Sequence, residues 1–297
     1  MRKRLIALSV RVLSGLSLRS AQRLGGLIGR LACRLPNSER RTAQVNIALC
    51  FPGLSAEQRG DRVRASLCES AKTLTEIPGI WSRPAAYAVD LVRSERGRDV
   101  LERALATNRG LLVGAPHLGN WEIAGLYAQS LFPMTILYRA PREKVLEPLM
   151  RGGRTSGGAQ LVPTDAAGIK AAYSALRRGE AVGILPDQQP KTLSSGVFAP
   201  FFGHAALTMT LMGRLANKGR AAVVFCLAER LPKAEGFRIH WLAAPEGIDD
   251  ADPLVAAGAL NRGVEACIEL CPEQYQWSYK RFRLRPDGRR SPYRKGR

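Results

Sequence analysis

The chain has 297 residues, 45% hydrophobic and 24% charged, with a formal net charge of +20. Such a composition is globular rather than disordered, and no internal repeat points to a solenoid. Six scattered cysteines without a CxxC pair exclude a disulfide framework or a zinc ribbon and fit a reducing compartment.

The charge is concentrated at the ends. Residues 1–41 hold ten Lys/Arg and one acid, and residues 280–297 hold nine and one, whereas residues 42–279 carry 26 basic and 23 acidic residues. A nearly neutral body with two cationic ends suits a nucleic acid, an anionic membrane surface or an acidic protein partner. The chain therefore divides into a basic amphipathic segment (1–41), a globular body (42–279) and a basic tail (280–297).

From Leu5 to Leu35 the sequence is apolar but broken by Arg11, Arg19, Arg23 and Arg30. It is too interrupted for a membrane span, and Arg11 spoils the apolar core of a signal peptide. A basic amphipathic helical region lying in a membrane interface fits the pattern. The alternative is a helix packed on the body with solvated arginines.

Residues 36–54 read as a loop-rich link. Ser55 opens a helix with Gln58 in capping-box position, and Val63, Leu67, Ala71 and Leu74 follow at helical spacing until Pro78-Gly79 ends it. Strand-like runs then alternate with helix-like ones. The strands are Gly110–Ala115, Thr135–Tyr138, Gln160–Val162, Ala181–Leu185 and Ala221–Leu227. The helices are Gly97–Thr107, Trp121–Ser130, Lys144–Arg151, Ala166–Arg178, Met209–Lys218 and Asp252–Leu270. This alternation predicts an α/β fold with a mainly parallel or mixed central sheet flanked by helices. His117, Arg139, Asp165 and Asp187 then fall at C-terminal strand ends, the edge where such sheets gather ligands.

The densest chemical signal is Ala115-Pro-His-Leu-Gly-Asn-Trp-Glu122. Asn120 is a natural N-cap, which puts Glu122 in the first helical turn. In one continuous helix His117 and Glu122 would stand about 140° apart; the Gly-Asn turn lets the carboxylate fold back toward the imidazole. A carboxylate-oriented histidine is a general-base pair. The alternative is a loop histidine beside a glutamate favoured by the helix dipole.

This segment resembles the His-x4-Asp/Glu motif of glycerolipid acyltransferases, in the variant found in the late lauroyl and myristoyl acyltransferases of lipid A biosynthesis. Further segments resemble that family in order: Asn46-Ile-Ala-Leu-Cys-Phe-Pro52; Tyr138-Arg139; Arg154 with Gly157-Gly158; Leu185-Pro-Asp-Gln188; Phe198-Ala-Pro-Phe-Phe-Gly203; and Pro272-Glu-Gln-Tyr-Gln-Trp277 followed by Lys280-Arg-Phe282. After Gly203 the chain reads His204-Ala-Ala-Leu-Thr208, where relatives are often richer in Pro and Thr. An Glu-Gly-Thr-Arg-like block, expected of a lysophosphatidate enzyme, is absent.

The resemblance implies acyl transfer from a thioester to a lipid hydroxyl, with His117 as base and Glu122 orienting it. Arg154 is expected to stabilise an oxyanion or clamp a phosphate. Asp187 stands either as a second carboxylate near His117 or as the partner of Arg154, with Gln188 in the same network. Asn120, Arg139, Gln188, Phe198, Phe201 and Phe202 are the expected substrate contacts, although the three phenylalanines read equally as core. No metal and no cofactor is expected. The implied donor is an acyl-acyl carrier protein, whose acidity suits a cationic surface. The implied acceptor is a phosphorylated lipid A precursor at the cytoplasmic face of the inner membrane. A lysophosphatidate or mannosylated phosphoinositide acceptor and, outside enzymes, nucleic-acid binding are the competing readings.

Overall fold

The computed structural model describes residues 2–141, 143–286, 288 and 290–294. Four helices come first: α1 (Arg2–Ser14), α2 (Leu18–Arg34), α3 (Ser38–Cys50) and α4 (Ala56–Trp81). There follow α5 (Ala85–Asp90), β1 (Val92–Arg96), α6 (Arg98–Leu105), β2 (Leu111–Gly114), α7 (Trp121–Leu131), β3 (Met134–Tyr138), α8 (Glu147–Thr155), β4 (Gln160–Pro163), α9 (Ala166–Arg177) and β5 (Ala181–Ile184). A hairpin of β6 (Gly196–Phe201) and β7 (His204–Met209) precedes α10 (Leu211–Gly219), β8 (Ala222–Arg230), β9 (Phe237–Ala243) and α11 (Pro253–Leu270).

The main sheet runs β1-β9-β8-β2-β5-β3-β4. Among the described residues its only antiparallel neighbours are β8 and β9; every other pair is parallel. The expected α/β class and mainly parallel sheet are therefore present. Strands β2 and β5 are buried throughout, as central parallel strands covered on both faces must be. The period-2 alternation of side chains divides the core. Leu112, Val182, Phe225 and Leu227 face one layer, which holds α9–α11. Leu111, Val113, Ala181 and Val224 face the other, beneath α5–α7.

Several local expectations are corrected. The supposed link 36–54 is mostly α3. Asn37 caps it, accepting from the Arg40 amide, and Ala43, Ile47 and Cys50 are buried at helical spacing. Helix α4 has its expected capping box but runs through Pro78 to Trp81. Proline removes one hydrogen bond there, and burial of Ile77 and Ile80 keeps the turn in place. The tenth helix starts at Leu211 because Met209 closes β7. Lys144–Leu146 is a short 3-10 turn leading into α8, which runs past the expected end at Arg151 and carries Arg154.

Helix α2 packs on α4 through small residues: a Cβ on Gly25 would lie 2.5 Å from the Lys72 Cα, and one on Gly29 would lie 2.4 Å from the Cys68 Cα. Leu27, Ile28, Leu31 and Leu35 remain exposed, as do Leu5, Leu8 and Val12 of α1. Among the described residues no helix is long and apolar enough to cross a membrane.

Helix α4 is locked to the sheet by a buried ionic cluster. Arg230 donates to Glu76 at 2.6 and 2.7 Å, to Glu69 at 2.7 Å and to Thr73 at 2.7 Å. Glu76 and Arg230 are 3% and 4% exposed. Removing one member of such a cluster leaves a buried charge unsatisfied. Glu76→Ala should therefore lower unfolding free energy by about 3–5 kcal/mol, read from urea unfolding. A loss below about 1 kcal/mol, the level of an exposed ion pair, would assign the cluster no structural role.

Candidate active site

Strands β2 and β5 are parallel neighbours with Gly114 opposite Ile184. Each continues past its last strand residue as X-Pro-X: Ala115-Pro116-His117 from β2 and Leu185-Pro186-Asp187 from β5. The Ala115 amide still bonds to the Ile184 carbonyl at 2.9 Å. Matched offsets from a matched register bring His117 and Asp187 together at the C-terminal edge of the sheet.

His117 Nδ1 lies 2.8 Å from Asp187 Oδ1, and the His117 backbone amide donates to Oδ2 at 3.1 Å. A carboxylate accepts only, so Nδ1 carries the proton and Nε2 presents its lone pair. Gln188 Nε2 sits 3.2 Å from that atom. Burial raises the Asp187 carboxyl, but the His117 ring and amide more than offset this and hold it below its ordinary value of 3.8. The buried Tyr275 phenol lies beside Asp187; burial first, and then the Asp187 charge, push it well above its ordinary range, so it stays protonated.

The orienting carboxylate is therefore Asp187, not Glu122 as expected. Glu122 accepts from Arg154 Nε at 2.9 Å and Nη2 at 2.5 Å, and from the Trp121 indole at 3.0 Å. Being first in α7, Trp121 stands between the two pairs, its ring centroid 4.9 Å from that of His117. Burial alone would raise the Glu122 carboxyl; Arg154 more than offsets it, and the net shift is below 4.5. Burial likewise lowers Arg154, and Glu122 reverses this to a net rise. Of the two roles open to Asp187, the structure takes the first.

Asn120 caps α7 through the Ile123 amide and donates to Glu76 at 2.8 Å. It is wholly buried, so it builds the loop rather than contacting substrate. The loop is pinned elsewhere too. Gly119 has φ +58°, and a Cβ there would lie 2.0 Å from the Ala228 carbonyl oxygen. The Gln276 amide donates to the His117 carbonyl at 3.0 Å. Arg139 is exposed after β3. Asp165 serves as the N-cap of α9. Phe201 is buried core and Phe202 packs on Phe51 and Trp277, while Phe198 is half-buried in β6. None of these three lines the cavity beside the site.

That cavity lies between α7 and the sheet and has a volume of about 50 Å³. Val113, Ala124, Leu126, Met134, Ile136 and Ile184 make it apolar, and Trp121, Glu122 and Arg154 stand in its wall. Gly125 also lines it, with nothing within 4 Å of an added Cβ. The sequence reading missed this cavity, the Tyr275 contact and the Glu76–Asn120 link.

The bacterial lipid A biosynthesis acyltransferase family model matches residues 4–284. The chain belongs to that family. This acyltransferase is 31% identical to a lipid A biosynthesis lauroyltransferase of Escherichia coli K12 over 278 residues, covering 91% of this chain and 88% of the relative. It is 30% identical to the palmitoleoyltransferase of the same strain, at 91% and 87% coverage, and 27% identical to the myristoyltransferase, at 90% and 82%. The expected enzyme class, an acyltransferase of lipid A biosynthesis, is thus supported over nearly the whole chain.

Two predictions follow from the two ion pairs. In this acyltransferase Asp187→Asn should cut kcat by about 10²–10⁴-fold and move the His117 proton from Nδ1 to Nε2, read from ring nitrogen chemical shifts. An unchanged tautomer would refute the pairing. Both Glu122 and Asp187 are depressed in the folded state. Below the ordinary carboxyl values the unfolded chain binds protons that the folded chain does not, so their stabilisation is present at neutral pH and fades as pH falls through the folded values. Glu122→Gln should therefore flatten the loss of stability below about pH 4, measured by denaturation at stepped pH. An unaltered slope would count against the Glu122–Arg154 pair.

Proposed function

We propose that the protein moves a fatty acyl chain from an acyl-acyl carrier protein to a hydroxyl on a 3-hydroxyacyl chain of a lipid A precursor. The observation that carries this reading is the His117–Asp187 pair beside an apolar cavity whose wall holds Arg154. His117 Nε2 takes the proton of the acceptor hydroxyl, displacing the Gln188 amide. The oxygen bonds to the thioester carbonyl carbon, the C–S bond breaks, and the imidazolium returns its proton to the departing thiolate. Asp187 holds the ring in place and stabilises its charged form.

Glu122 engages Arg154 Nε and Nη2. Among the described residues Nη1 has no hydrogen-bond partner, and we assign it to the developing oxyanion. The acyl chain enters at the apolar cavity, which opens to admit it. The exposed apolar faces of α1 and α2, edged by arginines, support peripheral attachment to the cytoplasmic face of the inner membrane.

The test is acyl transfer by purified protein to a tetra-acylated, sugar-bearing precursor, read as one acyl mass increment, with carrier-protein and coenzyme A donors compared. Transfer to lysophosphatidate instead would overturn the acceptor. Gly125→Leu fills the cavity at an open position and should shift chain preference toward shorter donors by at least about tenfold, a difference of ~1.4 kcal/mol. An unchanged preference would place the acyl chain elsewhere.

A further inference from the structure

The two cationic ends, far apart in sequence, meet in the fold. Asn46 of α3 donates to the carbonyls of Trp277 and Tyr279 at 2.7 Å, and accepts from Tyr293, whose hydroxyl also takes the Phe282 amide. This packing sets Arg40 and Arg41 of α3 opposite Lys280 across a cleft of about 700 Å³. A second hollow, sharing Lys280 and Tyr293, is lined by Arg283, Arg290 and Arg294. Among the described residues neither lining contains a carboxylate. Among the described residues none of these six cations forms an ion pair.

Two neighbours give the cleft a direction. The exposed apolar stripe of α2 ends at Leu35, one residue before Pro36, which lines the cleft. The segment that carries Lys280 also closes the active site: Gln276 bonds to the His117 carbonyl, and the Tyr279 hydroxyl accepts the Gln189 amide at 2.9 Å. A concave cluster of Arg and Lys suits phosphate oxygens, which guanidinium groups bind in a two-pronged manner.

We propose that this cleft is a phosphate subsite that holds a phosphate monoester on the headgroup of the lipid acceptor while an acyl hydroxyl of the same molecule reaches His117. It rests on the acceptor class proposed above and adds where and by what chemistry that acceptor is held.

The test uses full-length Arg40→Gln/Arg41→Gln and Lys280→Gln/Arg283→Gln variants. In titration calorimetry, a glucosamine disaccharide bisphosphate without acyl chains should bind wild type. Each variant should weaken it at least about tenfold, and the unphosphorylated disaccharide should not bind. Wild type that fails to distinguish the two sugars overturns the proposal, whatever the catalytic result. In turnover, both variants should raise the acceptor KM by a similar factor and leave kcat within about twofold. A rise in the donor KM alone would give the cleft to the carrier protein and overturn the proposal. Flotation on phosphatidylcholine vesicles containing phosphatidic acid separates the bilayer as phosphate source: variants that lose flotation but keep disaccharide binding would also overturn it. If wild type acylates no lipid A precursor, the proposed function falls, and the calorimetry still decides the cleft. Should a double variant fail to fold, the exposed single change Lys280→Gln takes its place, with the same readouts.

Discussion

The buried carboxylate of Glu76 is the constraint on which the rest depends. Its oxygens accept from Arg230 at the end of β8 and from Asn120 at the start of α7. One side chain of α4 thus fixes both the sheet and the turn between His117 and Glu122. A charge this deep is costly unless its hydrogen-bonding capacity is met, and here the partners are the very elements that must be placed. The helix supplies the charge, the strand neutralises it, and the loop between β2 and α7 completes its bonding.

The same economy explains why the two carboxylates beside the site have separate duties. Asp187 is reached by His117 through its ring and its own amide, so loop and side chain are fixed together. Glu122 is given to Arg154, which comes from α8, and α8 is seated on the last turn of α4 by Gly153, where a Cβ would lie 2.5 Å from the Trp81 Cβ. Trp121 keeps the pairs apart while touching both. Two buried carboxylates sharing one cation would raise each other's pKa; with a partner each, both are held in the charged form.

Much of this was legible in the sequence. The apolar runs that became β2, β3, β5 and β8 carry their burial in their composition, and the loop chemistry of Asn120 as a cap is local. What was not legible depends on register. Glu122 is five residues from His117 and Asp187 is seventy, yet the parallel pairing of Gly114 with Ile184 brings the distant carboxylate nearer. The signal that could have found it is the repeated strand-X-Pro-X ending, once in Ala115-Pro-His117 and once in Leu185-Pro-Asp187. Strand β1, Val-Arg-Ser-Glu-Arg, has no apolar alternation and forms because β9 offers an edge. The β6–β7 hairpin holds Pro200, which reads against a central strand; a two-stranded ribbon tolerates it.

Helix α2 inverts the usual pattern of a surface helix. In water an amphipathic helix turns its large apolar residues inward; here Ala21, Gly25 and Gly29 face α4, and Leu27, Ile28, Leu31 and Leu35 face out. At 100° per residue Arg19, Arg23, Arg30 and Arg34 fall within about a 60° arc beside those leucines. Small residues against protein and large ones outward is the arrangement favoured where the surroundings are themselves apolar, and the flanking arginines suit the headgroup level. The helix is too short and too charged to span a bilayer, so the proposed attachment is shallow. On the proposed reading these features lie along one direction: lipid chains against α2, a headgroup phosphate past Leu35 in the cationic cleft, and the segment leaving that cleft bonded back to the carbonyl of His117.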